Sequence, residues 1–151
     1  MHSAFQLHHV GYAVAQIEPI VQVYKQRYGY LVESGIIHEP LQTAFVQFLR
    51  LPGNESYLEF VAPDSLQSKL SSAVQKGGGL NHLCLICMPG IEQSIVHLEQ
   101  EGMRLIGEPK PSAAFHGRRI CWLLGADRVP VELVERLDVL DQCIPGETPS
   151  H

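Results

Sequence analysis

Apolar residues along this chain change their spacing in a regular order, from strand-like runs to helical periodicity and back. Residues 7–15 form a mostly apolar run, which predicts a strand. Apolar side chains then recur at helical spacing over 17–28, and Gly29 suits the end of that helix. Further strand-like runs follow, separated by proline and glycine, at 31–37, 43–51 and 57–62. The first part of the chain therefore predicts a βαβββ unit.

The second part of the chain repeats that order. A connecting helix is predicted over 65–76, and a run of three glycines ends it. A strand over 80–88 and a helix from Ile91 to near Gly102 come next, and three strands follow at 103–106, 118–124 and 129–135. The loop over 107–117 holds two prolines and is long enough to border a pocket.

These elements predict an α+β fold built from two tandem βαβββ modules. The modules cover about 6–63 and 79–136, and no linker-like composition separates them. We therefore expect one domain over 1–144, followed by a loose tail at 145–151.

Composition and charge narrow the classes of partner. The chain is 151 residues long with a net charge of −5, and its basic residues form no block. Nucleic acids and anionic membrane surfaces are therefore poor candidates, and a small molecule is the expected partner. No apolar run is long enough to span a bilayer, and the first residues do not resemble a secretory signal. A cytoplasmic location is the expectation.

Two pairs of potential metal ligands share one separation. His9 and His82 lie 73 positions apart, and Glu59 and Glu132 lie the same distance apart. The surrounding residues match at this offset as well, since 7–14 resembles 80–87 and 58–61 resembles 131–134. A repeat alone explains the matched apolar residues, but it does not require polar residues to persist at both equivalent positions. The pattern indicates one site shared between two modules.

The chemistry of these four residues suits a divalent cation. Two neutral imidazoles and two carboxylates cancel a 2+ charge, and this ligand set is compatible with zinc, cobalt, nickel, manganese or ferrous iron. A single histidine or glutamate on a strand is usually only a surface residue, so the matched set carries the prediction. By contrast, Cys84 and Cys87 lie three apart on one predicted strand and therefore face opposite ways, which argues against a CxxC metal or disulfide site.

The sequence resembles the vicinal oxygen chelate (glyoxalase/bleomycin-resistance) superfamily and, within it, methylmalonyl-CoA epimerase. The resemblance rests on 7–14, on the glycine-rich segment 77–83, and on 116–119 together with 131–135. It implies the paired-module fold, one divalent metal ion bound by His9, Glu59, His82 and Glu132, and a homodimer. It also implies chemistry in which a metal-chelated substrate loses a proton next to a carbonyl group.

The resemblance implies roles for further residues. Glu132 or Glu59 is the expected catalytic base, as in glyoxalase I, because the usual epimerase glutamate is replaced by Leu41. Glu39 is a secondary candidate, expected to be an exposed loop acid before Pro40. The epimerases often have glutamine at the position of Glu59, where glyoxalase I commonly has a carboxylate. The expected substrate-binding residues are Gln42, His116, Arg119 and Trp122.

Three functions follow from this sequence. The first is a metal-dependent epimerase or isomerase acting on a small acid or acyl thioester, with acyl-CoA as a possible substrate. The second is a glyoxalase I-type lyase. The third is a non-catalytic protein that binds a small molecule, as bleomycin-resistance proteins do, although such proteins usually lack the metal-binding set.

Overall fold

A computed structural model describes residues 5–147 of the chain, which form one mixed sheet with helices packed against it. In chain order the elements are β1 (Phe5–Ala13), α1 (Ile17–Tyr28), β2 (Leu31–Val32), β3 (Ile37–Glu39), a 3-10 turn (Pro40–Gln42), β4 (Ala44–Arg50), β5 (Tyr57–Pro63), α2 (Ser71–Gln75), β6 (Gly79–Cys87), α3 (Ile91–Gln100), β7 (Arg104–Pro111), β8 (Arg119–Leu124) and β9 (Pro130–Glu135).

The strand order of the sheet is β2-β4-β5-β1-β6-β9-β8-β7, with β3 also paired to β4. Each module places its first strand parallel to its last strand: β1 pairs with β5, and β6 pairs with β9. The two first strands, β1 and β6, pair antiparallel and join the modules at the middle of the sheet. The α+β fold of two tandem modules is thus confirmed.

The duplication extends to the register of the strands. Gly11 lies opposite Glu59 in one parallel pair, and Cys84 lies opposite Glu132 in the other, which is the same pairing at the sequence offset. Between β1 and β6, His9 faces Cys84 while Gly11 faces His82. Replacing each of these residues by its equivalent in the other module converts one pair into the other. A pseudo-twofold axis therefore passes between β1 and β6.

The two faces of the sheet carry different partners. Helix α1 packs against one module and α3 against the other, each through its own apolar cluster, which includes Ile17 in the first case and Ile91 in the second. The opposite face, here called the inner face, holds the largest cluster. This cluster includes Phe48 and Val61 from strands and Phe115 from the loop between β7 and β8. Loops thus cover the inner face, where Glu59 and Glu132 also lie buried.

Three element boundaries differ from the sequence prediction. The strand expected over 31–37 is split, because Ser34 leaves the ladder and its hydroxyl accepts a hydrogen bond from the Phe48 N–H. The helix expected over 65–76 shrinks to α2, since the Ser65 and Ser68 hydroxyls accept local backbone hydrogen bonds that form turns instead. Finally, β7 continues to Pro111 through a register shift after Ile106, so the loop is shorter than expected.

The expected loose tail falls partly within the described residues. Gly146 donates to the Ala114 carbonyl at 2.8 Å and accepts from the His116 N–H at 2.9 Å, so this part is fastened to the loop after β7. The remaining positions, 148–151, lie outside the described residues. Over the part of the chain that is described, no helix combines the length and apolar character needed to cross a membrane.

Candidate metal centre

The four residues singled out by their spacing meet on the inner face, at the pseudo-twofold axis. The His9 and His82 Nε2 atoms are 3.0 Å apart. Glu59 Oε1 lies 3.3 Å from the His9 nitrogen and 3.1 Å from the His82 nitrogen. Glu132 Oε1 lies 3.3 Å and 3.7 Å from the same two atoms. All four side chains are fully buried.

This geometry fits a divalent ion. Ligand atoms about 2.1 Å from one ion lie about 3.0–3.4 Å apart in octahedral or tetrahedral arrangements, which is close to the observed separations. All four carboxylate oxygens of Glu59 and Glu132 are buried without a hydrogen-bond partner among residues 5–147. Burying a carboxylate charge without a partner costs free energy unless a cation compensates the charge. His9, His82 and Glu132 in particular present ligand atoms within 4.8 Å of one another and can hold a metal ion.

The electrostatics of the cluster favour positive charge at its centre. Burial by itself lowers the pKa of His9, but the Glu59 and Glu132 carboxylates outweigh it and raise this pKa to about 9. Burial by itself would raise the pKa of Glu59, but the neighbouring His9 and His82 outweigh burial and lower this pKa. The carboxylate form is thus favoured in a fully buried position.

Each of the two candidate ligand histidines, His9 and His82, is held by the residue before it. His8 and Asn81 are the extra residues where the β1–β6 register shifts. The His8 and His9 Nδ1 atoms are 2.7 Å apart, and Asn81 Oδ1 is 2.8 Å from His82 Nδ1. His8 Nε2 also lies 2.8 Å from the Cys143 carbonyl oxygen. His8 has no metal-ligand partner at the offset of 73 and by itself would be taken for an exposed histidine, yet it is fully buried. The signal that could have found it is its offset from Asn81, which precedes His82 as His8 precedes His9.

Aromatic rings pack edge-on against both His9 and His82. Phe48 contacts His9 with ring centroids 5.3 Å apart, and Trp122 contacts His82 at 4.9 Å. These aromatic residues are equivalent by register, because Phe48 pairs with Glu59 and Trp122 pairs with Glu132. Gly11 lies directly under the His82 ring, where an added Cβ would come within 2.0 Å of the ring.

A second contact between equivalent residues lies on the same axis. The Ser112 hydroxyl donates a short hydrogen bond to the Glu39 carboxylate, and these residues have the separation of His9 and His82. The backbone N–H groups of Leu41 and Ala114 also donate to this carboxylate. Glu39 is therefore not the exposed loop acid that the sequence suggests, but a fully buried one, because the loop after β7 folds over it.

The segment that binds Glu39 also covers the histidines. The Phe115 ring stacks on His9 at 6.1 Å and meets His8 edge-on at 4.9 Å. Thr43 and His116, each at the end of its covering loop, both adopt left-handed backbone conformations, with φ of 51° and 54°. The two loops thus repeat one another as the strands do.

The residues expected to bind substrate are dispersed. Trp122 lies beside His82. Gln42 is buried at the end of the 3-10 turn, at the position equivalent to Phe115. His116 is exposed beside Gly146. Arg119 lies on the α3 side of β8, where it donates to Glu135 at 2.7 Å and to Glu92 at 2.6 Å. Arg119 is therefore not brought together with the four candidate ligands.

A cavity borders Trp122, the residue that packs against His82, and none of the four candidate ligands lines it. Its volume is about 270 Å³, and Trp122, Leu41, Lys69 and Lys110 contribute to its lining. A different cluster, His8, His9 and Cys84, also places potential ligand atoms within 4.8 Å. However, both His8 nitrogens are engaged in hydrogen bonds, and burial raises the pKa of the Cys84 thiol well above its usual range.

Comparisons with known proteins agree with this architecture. Residues 8–122 match the family model described as the glyoxalase/bleomycin resistance protein/dioxygenase superfamily. A hypothetical protein from Bacillus halodurans C-125 is 28% identical, with a TM-score of 0.77 over 89% of this chain and 96% of that one. Methylmalonyl-CoA epimerase from Mycobacterium tuberculosis is 26% identical, with a TM-score of 0.72 over 85% and 86%.

A further similar structure shows the fold alone. Methylmalonyl-CoA epimerase in complex with methylmalonyl-CoA and NH4+ is 20% identical, with a TM-score of 0.72 over 97% of this chain and 100% of that one. None of the curated proteins compared with the chain matches it.

Proposed function

The chain belongs to the glyoxalase/bleomycin resistance protein/dioxygenase superfamily, and from this we propose that it is a divalent-metal-dependent epimerase or isomerase. Its substrate is a small acid or acyl thioester that loses a proton next to a carbonyl group. One observation carries the proposal: two histidine nitrogens and two buried carboxylates converge at ligand-to-ligand distances on the axis between the modules. Within residues 5–147, the carboxylate oxygens have no hydrogen-bond partner. Bleomycin-resistance proteins, which only bind a small molecule, usually lack this set of metal ligands.

His9, Glu59, His82 and Glu132 are the residues that would hold the ion. When bound, a 2+ ion stabilises the negative charge that develops on substrate oxygens as the neighbouring carbon loses its proton. Zinc, cobalt, nickel, manganese and ferrous iron all accept this ligand set.

We assign Glu39 as the principal base, and Glu132 or Glu59 as the group that serves the opposite side of the substrate. Glu39 lies on the axis that also passes through the His9–His82 contact, since each contact joins equivalent residues of the two modules. The Ser112 hydroxyl and two backbone N–H groups orient its carboxylate. A buried, oriented carboxylate near the bound substrate can accept and return a proton. This assignment supplies a base although Leu41 stands where one is usual.

An acyl-CoA thioester is the substrate class we favour. A similar structure holds methylmalonyl-CoA, and another, the Streptomyces coelicolor epimerase, holds 2-nitronate-propionyl-CoA. In this chain, Lys69, Lys110 and Glu108 line the cavity beside Trp122, and the excess of one positive charge favours anionic groups of a substrate. A homodimer remains a prediction, which the mass of the protein in solution checks.

A glyoxalase I-type lyase is the second candidate. A carboxylate at Glu59, where the epimerases often have glutamine, favours it. The two activities differ in the substrate they accept, because a lyase of this kind acts on a hemithioacetal of an α-keto aldehyde.

The experiment combines metal analysis with isotope exchange. Purified protein should contain about one divalent ion per chain, and the His82→Ala and Glu132→Ala variants should lose it, because each removes a ligand. Metal-loaded protein is then incubated in deuterated water with acyl-CoA thioesters and with hemithioacetals. Deuterium uptake at the carbon next to the carbonyl of a thioester supports the epimerase. Uptake with hemithioacetals alone supports the lyase, and no uptake in either series refutes both enzymes in favour of a binding protein.

A further inference from the structure

The contact between His8 and Cys143 fixes the proton on one nitrogen of His8. The Cys143 carbonyl oxygen can only accept a hydrogen bond, so His8 Nε2, 2.8 Å away, must donate. His8 is fully buried between Tyr57 and Phe115. Its two ring nitrogens contact the His9 ring and the Cys143 carbonyl rather than a carboxylate, and burial in such surroundings favours the neutral ring. A neutral imidazole carries one N–H. The His8 Nδ1 atom therefore presents a lone pair.

That lone pair determines the tautomer of His9. The two Nδ1 atoms are 2.7 Å apart and share one proton, which must belong to His9 because the His8 atom accepts. The His9 Nε2 atom is then left to face His82 and the two carboxylates. In the second module, the Asn81 amide oxygen accepts from His82 Nδ1 in the same way. Both ligand histidines are thus presented through Nε2.

The two modules reach this result by different routes. Asn81 is half-buried, and the hydrogen bond described for its side chain is to the adjacent His82. His8 instead reaches the segment after β9 through Cys143. The position of that segment is set by Asp141, which accepts from the Cys143 N–H at 2.9 Å and from Arg118 at 2.7 Å. The orientation of His9 therefore depends on a part of the chain distant in sequence.

We propose that His8 is a positioning residue that fixes the Nε2-binding tautomer of His9 and couples metal affinity to the segment 137–146. The proposal rests on the metal site of the proposed function. His8 does not itself bind the ion. It orients a ligand, as outer-shell partners of metal-binding histidines do.

The chain supplies its own control for the test, since asparagine performs the same role at position 81. The His8→Leu variant removes the acceptor and should bind zinc about 10- to 100-fold more weakly in a competition titration against a chromophoric chelator. His8→Asn keeps an acceptor for His9 and should lie within a few-fold of the unmodified protein. Asn81→Leu should weaken zinc binding as His8→Leu does. Thermal unfolding of the metal-free variants checks that each one folds.

A second measurement separates positioning from packing. In the zinc-loaded unmodified protein, nitrogen-15 NMR of the histidine rings should show the His9 proton on Nδ1. A proton on Nε2, or a folded His8→Leu variant that binds zinc as tightly as the unmodified protein, would overturn the proposal. If the unmodified protein binds no zinc, cobalt, nickel or manganese, the metal site fails instead, and with it the proposed function. Should His8→Leu not fold, His8→Asn and the NMR result decide the question.

Discussion

The two modules share their backbone plan and their ligands, but they differ in the residues that surround those ligands. His9 is held by a buried histidine and flanked by Phe48, whereas His82 is held by Asn81, flanked by Trp122 and seated on Gly11. Across the pseudo-twofold axis, Glu39 of the first module faces Ser112 of the second. The duplication therefore keeps the four candidate ligands, and the differences lie in the residues that hold and flank them.

Breaking the Glu39–Ser112 pair should have the largest effect. Glu39→Gln removes the proposed base and should lower the rate of proton exchange by about 100- to 10,000-fold. Ser112→Ala removes only an orienting donor and should lower it by about 10-fold. Both variants should keep the zinc affinity of the unmodified protein, which the chelator titration measures. Equal losses in the two variants would show that Glu39 acts through structure alone.

Gly11 and Cys84 are equivalent positions with equivalent strand neighbours but different side chains, and they provide the next comparison. In Gly11→Ala, the new Cβ meets the His82 ring, so the ring must move away from the cluster. Zinc affinity should fall by more than about 100-fold, beyond the range of an outer-shell change, and unfolding should become easier by about 1–3 kcal/mol. Cys84→Ala removes a small side chain and should leave zinc affinity nearly unchanged. A Gly11→Ala protein that still binds zinc tightly would contradict this account.

The two modules should also respond differently to acid. The segment after β5 is held to Thr43 by neutral hydrogen bonds of Ser68, but the segment after β9 is held by the Arg118–Asp141 ion pair. Burial by itself raises the pKa of Asp141, yet hydrogen bonds from Arg118 and from the Leu137 and Cys143 N–H groups lower it to about 2. A lowered carboxyl pKa contributes stability above the unfolded-state value near 4 and loses it as the pH falls toward 2.

We expect this ion pair to contribute about 1–2 kcal/mol at pH 7, and to be lost between about pH 4 and pH 2. Chemical unfolding at a series of pH values measures the contribution. Asp141→Asn should remove this part of the acid dependence, while Ser68→Ala should lower stability equally at every pH. An Asp141→Asn protein with an unchanged acid profile would show that other carboxylates cause it.

The smallest effects are expected on the outer side of β8. Arg119 pairs with Glu92 and Glu135, and its pKa is raised by both carboxylates. Because Arg119 is partly exposed, Arg119→Gln should change the free energy of unfolding by less than about 1 kcal/mol and leave KM unchanged. Trp122→Ala, on the opposite face of the same strand, should raise KM. A rise in KM for Arg119→Gln would return Arg119 to the substrate site, where an arginine is expected to pair with an anionic group of the substrate.

The repeat made much of this architecture predictable, because one offset aligns both strands and ligands. The strand pairing and the convergence of His9, Glu59, His82 and Glu132 follow from matched polar residues within matched apolar runs. The environments of Glu39 and His8 could not be predicted in this way. Glu39 is buried by the loop after β7 and His8 by the segment after β9, and both covering segments are distant in sequence. Alternation along one strand could have separated Arg119 from Trp122, but it could not show that Arg119 pairs with Glu92.

The pseudo-twofold axis passes through two contacts between equivalent residues, His9–His82 and Glu39–Ser112. This symmetry restricts which residues could meet there if the two modules had identical sequences. Identical halves would place like against like at such an axis, for example glutamate against glutamate, and two carboxylates at hydrogen-bond distance repel. A metal ion is compatible with identical residues at the axis, because two histidines and two carboxylates can all serve as its ligands. A carboxylate held by a hydroxyl is not possible there under strict symmetry. Joining the halves in one chain lets position 39 and position 112 vary separately, so that the donor and the acceptor can be different residues.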